Sequence, residues 1–155
     1  AREQFGANPA GPLHVALHQA SVDLERAEEG RKVRSRSEEV LRGWSARMYS
    51  RGMAEALRLT GVSYDHDARW DKAALHHLAA LCIYPYEAHW ANRQAYQRIV
   101  EYAVSLDREG RKQFWERVQG MVRDREGPFS YLTQLAVERE VEIDRLLSAL
   151  RTRVG

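Results

Sequence analysis

From Leu13 onward, apolar residues return every three or four positions, and no stretch reads convincingly as an alternating strand. That period belongs to the α-helix. It leaves an all-α protein as the reading and excludes architectures built on sheets. Residues 1–12 stand outside the pattern: Gly6, Pro9, Gly11 and Pro12 mark them as an irregular arm.

Leu13, Leu17, Ala20 and Leu24 open a first helix, for which Gly30 is a stop. Residues 31–36 read as a basic connector, and Ser35 with Glu38 matches a capping box. The second helix then runs from about residue 36 to Thr60, with Leu41, Trp44, Met48, Gly52, Ala56 and Leu59 inward and Gly61 at its end. Residues 61–68 read as a loop, with a polar group of Asp65, His66 and Asp67. A third helix spans about 69–83 and stops before Pro85, whose missing N–H and bulky ring break the turn. A fourth spans about 87–106. Asp107 caps a fifth, 108 to about 125, with Phe114, Trp115, Val118 and Val122 inward. Pro128 opens a last helix that runs to about Arg153. The expectation is one domain over residues 13–155, a bundle of five to six helices with no internal repeat.

The familiar signatures of chemistry are missing. The 155 residues hold no glycine-rich phosphate loop, no dinucleotide fingerprint and no Gly-x-Ser-x-Gly elbow. None of the six histidines follows a Glu by three positions, which a di-iron carboxylate bundle requires. His14 and His18 share a helix face and, with His77 or His89, would make a metal site; a half-buried pair is the plainer reading. His76 and His77 point about 100° apart, one to the core and one to solvent. No catalytic residue, metal or cofactor is assigned. With Cys82 as the sole cysteine, no internal disulfide forms. The chain shows no secretory signal and no apolar run of membrane-spanning length, so a cytoplasmic protein away from membranes is expected.

Charge supplies the functional lead. The net charge is only +2, but residues 31–58 carry eight basic side chains against three acidic ones. Of 24 basic residues, only Lys32, Lys72 and Lys112 are lysines. Such usage fits a GC-rich, bacterial coding sequence, and it also suits phosphate, which arginine grips with two parallel hydrogen bonds. On one helix, Arg36, Arg47, Arg51 and Arg58 fall within about 60° of each other and span about 33 Å. Arg34 extends the row. A rigid line of guanidinium groups follows a phosphate backbone without reading sequence. A solvated helix face and an acidic protein partner account for the same row. The aromatic run from Tyr84 through Trp90, with Arg93 and Arg98 beyond it, reads as corner packing or as a stacking platform for bases.

Residues 51–59, Arg51-Gly52-Met53-Ala54-Glu55-Ala56-Leu57-Arg58-Leu59, resemble a helix segment in the small helical subunits of CRISPR effector complexes. Those subunits are all-helical and non-enzymatic, and they contact the guide–target duplex along its backbone. The resemblance implies that the Arg row is a nucleic-acid face and that the chain assembles with other subunits. The functional expectation is a non-catalytic module on RNA or DNA backbone, with Arg34, Arg36, Arg47, Arg51 and Arg58 as its contacts. The alternatives are a protein–protein adaptor and a His-based metal or cofactor protein.

Overall fold

A computed structural model of the chain describes residues 30–43, 50–85, 90–135 and 139–154. Among these residues there are six α-helices and no strand, an all-α single-domain bundle. They are α1 (Gly30–Gly43), α2 (Ser50–His66), α3 (Trp70–Ile83), α4 (Trp90–Ser105), α5 (Arg108–Asp124) and α6 (Arg139–Val154). A 3-10 helix, Gly127–Gln134, precedes α6.

Helix α3 is the centre. Ten of its fourteen residues are buried, from Ala73 to Ile83. A helix apolar on every side has to be enclosed, and α2, α4 and the 3-10 helix pack around this one. Its alanines let neighbouring backbones come close. Cys82 lies in this core, and burial pushes its thiol up to about 12, so it is inert.

Helices α3, α4 and α5 follow the predicted pattern. Asp107 caps α5 by accepting from the Gly110 N–H at 2.6 Å. Phe114, Trp115, Val118 and Val122 are the buried side of that helix. Pro128 sits at the start of the 3-10 turn.

Four expectations are corrected. The expected helix over residues 36–60 is two helices packed as an antiparallel pair. The start of α1 meets the end of α2, because Arg34 reaches both Tyr64 and Asp67. The connector at 31–36 is itself part of α1, so Ser35 lies inside a helix and forms no capping box. The loop expected at 61–68 is helical as far as His66. Thr60 Oγ1 donates to the Ala56 carbonyl at 2.8 Å and Ser63 Oγ to the Thr60 carbonyl at 2.6 Å. These back-bonds satisfy buried hydroxyls within the helix.

The fourth correction concerns the C-terminal helix. It does not run unbroken from Pro128: the 3-10 turn comes first and α6 begins at Arg139. In a 3-10 helix residues three apart eclipse one another. Phe129 and Leu132 therefore point the same way, and both are fully buried. Arg139 Nη2 donates to the Cys82 and Ile83 carbonyls at 3.2 and 3.3 Å, which caps α3 and ties α6 to it. The expected arm at 1–12 and the first helix of the sequence reading lie outside the described residues.

Candidate nucleic-acid interface

The fold takes Arg58 out of the predicted Arg row. Arg58 is buried, with 6% of its surface exposed. Its guanidinium forms a two-pronged pair with Glu55, Nε lying 2.9 Å from Oε2 and Nη2 meeting Oε1. It faces the packed side of α2 next to Ala80 and Asn92, so it does not belong to an open stripe. The physical reason is that α1, α3 and α4 all pack on α2. Arg51 is exposed on the first turn of α2. Arg36 is a residue of α1 whose side chain lies outside the described set, and Arg47 falls outside the described residues altogether. Arg34 is about 20 Å from Arg51, because it sits beside Tyr64, thirteen residues further along α2.

Arg34 instead joins a cluster that the sequence reading missed. Its guanidinium lies over the Tyr64 ring, 4.4 Å from the centroid. Arg69 and Lys72 flank the same ring, each at 5.7 Å. Three cations thus surround one aromatic ring, an arrangement favoured by the ring quadrupole. His76 packs against Tyr64 from α3, with ring centroids 5.1 Å apart. A cleft of about 500 Å³ opens beside this group, with Arg42, Arg117 and Tyr131 on its walls. A sequence signal did exist: residues 69, 72 and 76 are spaced three and four apart, the first at the N-cap of α3 and the others on the helix.

The cluster is partly compensated. Asp67 accepts from Arg34 Nη1 at 3.0 Å, and Asp71 lies 3.7 Å from Arg117. Glu38 borders the cleft. Five cations (Arg34, Arg42, Arg69, Lys72, Arg117) therefore face three carboxylates. His76 is half-buried rather than turned to solvent, and its Nδ1–H donates to the Lys72 carbonyl at 2.8 Å. Burial, with His77, Lys72 and Arg34 nearby, holds its pKa down to about 4. The Tyr131 phenol is raised above its ordinary value by burial and by Glu38.

The expected Asp65–His66–Asp67 loop is divided between two roles. Asp67 serves Arg34. Asp65, on the last turn of α2, accepts from His77 Nε2–H at 3.0 Å. His77 is sealed in the core, and its Nδ1 has no partner among the described residues. This pair braces α2 against α3.

Gly61 makes the brace possible. A Cβ there would stand 2.9–3.0 Å from three His77 ring atoms. Gly61→Ala gains up to about 1 kcal/mol in helix propensity. Overpacking a fixed, buried ring costs about 1–3 kcal/mol. The expected result is a net loss in thermal unfolding that shrinks when His77→Ala is made in the same chain. An equal loss in both backgrounds would refute the contact.

Of the expected metal set, His14, His18 and His89 lie outside the described residues. Among the described residues, no three His, Cys, Asp or Glu side chains are grouped to hold a metal ion. No described helix is long and apolar enough to cross a membrane. Tyr84, Pro85 and Trp90 of the aromatic run belong to described segments, and residues 86–89 do not. No protein-family model matches this chain, and no curated protein or solved structure matches it either.

Proposed function

We propose that the chain is a non-catalytic helical module that contacts nucleic-acid backbone without sequence readout, as a subunit of a larger nucleoprotein complex. The observation that carries this reading is the group of Arg34, Arg69 and Lys72 around Tyr64, beside a cleft walled by Arg42 and Arg117. Cations held at fixed positions suit phosphate oxygens, which position a strand but do not identify its bases. Arg34 already covers the Tyr64 face, so the ring organises charge instead of stacking a base. The contacts move accordingly, from the predicted row to Arg34, Arg42, Arg69, Lys72 and Arg117.

The subunit part of the reading draws on two features. Residues 51–59 resemble the small helical subunits of CRISPR effector complexes. Trp70 leaves 52% of its surface exposed, and tryptophan is a frequent anchor of protein interfaces.

Fluorescence anisotropy with labelled single-stranded RNA and DNA, over a salt series, tests the proposal. Affinity is expected to fall linearly on a log–log salt plot. Arg69→Glu with Lys72→Glu is expected to weaken binding about tenfold or more at low salt and to flatten the slope by about 1.5. Undiminished affinity in the folded double variant, or no binding of either strand at about 50 mM salt, refutes the reading.

A further inference from the structure

His76 lines the interface cleft beside Lys72 and Arg117. The contacts proposed above do not use it, yet its ring is set up to meet an anion. Its orientation is fixed on two sides. The Tyr64 ring packs against it, and Nδ1 lies 2.8 Å from the Lys72 carbonyl. A carbonyl only accepts, so Nδ1 carries the proton of the neutral ring. Nε2 is then a bare lone pair. It has no hydrogen-bond partner among the described residues, and unlike His77 Nδ1 it is not sealed from solvent.

A phosphate oxygen also only accepts. Neutral His76 therefore offers it nothing but lone-pair repulsion. The protonated ring offers a charge-assisted N–H at the same point. In the unliganded protein the neutral form is favoured: burial opposes the charge, and His77, Lys72 and Arg34 repel it. Arg42 from α1, Arg69 beside Tyr64 and Arg117 from α5 add further cations. The opposing groups are weaker. Glu38 borders the cleft, while Asp67 and Asp71 are engaged by Arg34 and Arg117. Tyr131, from the 3-10 helix, keeps its phenol proton, because burial and Glu38 raise it. A polyanion laid across these cations reverses the balance, since it cancels the repulsion and supplies the acceptor.

We propose that His76 is a further phosphate contact of the candidate interface, with Nε2–H donating to a phosphodiester oxygen, and that the ring takes up one proton from solvent as the strand binds. This rests on the interface reading above and adds a property which that reading does not require. The complex holds a proton that the unliganded chain lacks, so affinity rises as the pH falls.

Fluorescence anisotropy with labelled oligothymidylate, at constant ionic strength and at about pH 7.5 and 5.5, tests the proposal. Neither thymine nor a phosphodiester titrates in that range. With a bound ring that titrates near the ordinary 6.5, binding is expected to tighten about tenfold at the lower pH. His76→Gln is expected to remove most of that gain. His66→Gln, at an exposed position on the last turn of α2, is expected to keep it, which separates a direct contact from added charge. Calorimetry of the unaltered chain at about pH 6, in two buffers of different ionisation heat, counts the protons taken up, with about 0.7 per complex expected. Salt-dependent binding without the pH gain, a gain undiminished in folded His76→Gln, or proton uptake below about 0.2 overturns the proposal and leaves the interface reading standing. No binding at either pH overturns both.

Discussion

Phe129→Ala is expected to cost about 3–5 kcal/mol of folding free energy. The phenylalanine is fully buried, and it projects from a short 3-10 turn into the main core. Two circumstances keep the cavity from collapsing. The turn is fixed at its start by Arg125, in the left-handed conformation with φ 54°, followed by Gly127 with φ 56°. Its other side is the packed centre, since the turn lies against α3 and α5. Leu132, on the same side of the turn, loses its neighbour as well. A large part of a small domain's stability is at stake, because native domains are only about 5–15 kcal/mol stable. Urea unfolding of the variant gives the value. A loss below about 1 kcal/mol would mean that the turn does not plug the core.

The second large effect is a pH dependence centred on His76. Its pKa is lowered from 6.5 to about 4, chiefly by burial. Above 6.5 the ring is neutral in both folded and unfolded chains, and the folded state keeps its full stability. Between 6.5 and 4 the unfolded chain binds a proton that the folded chain refuses, so stability falls as the pH falls. The loss approaches roughly 3 kcal/mol below pH 4. Carboxylates begin to contribute below about pH 5, so the window from about 5 to 6.5 isolates the histidine. His76→Gln is expected to flatten the curve in that window. An unchanged slope in the variant would mean that His76 is not held neutral. The charges that surround His76, Lys72 and Arg34, belong to the proposed interface. A bound polyanion there raises the pKa of the ring and weakens the same dependence.

Much of the bundle was legible from residues close in sequence. The ends of α3, α4 and α5 follow from Pro85 and Asp107, whose effects are confined to the adjoining turn. Glycine was the ambiguous signal. Gly61 looks like a helix stop, yet it lies within α2 because His77 needs its bare backbone. Gly30 also looks like a stop, yet it belongs to α1. Leu132 and Leu135 fit an α-helical stripe from Pro128 as well as they fit a 3-10 turn, and burial of Phe129 decided for the turn.

The candidate site was less legible. The Arg row assumed one straight helix across residues 36–60, and the antiparallel pairing of α1 and α2 removed that assumption. The sequence by itself determined that this chain is helical, where its central helices begin and end, and which side of α5 is buried. Period, caps and breakers act over about four residues, so a linear reading captures them. The tertiary structure alone decided that Arg58 turns inward while Arg34, Arg69 and Lys72 gather on Tyr64. Those partners come from α1, α2, the α2–α3 turn and α3, and only the packing of these elements around the apolar side of α3 brings them within reach of one another.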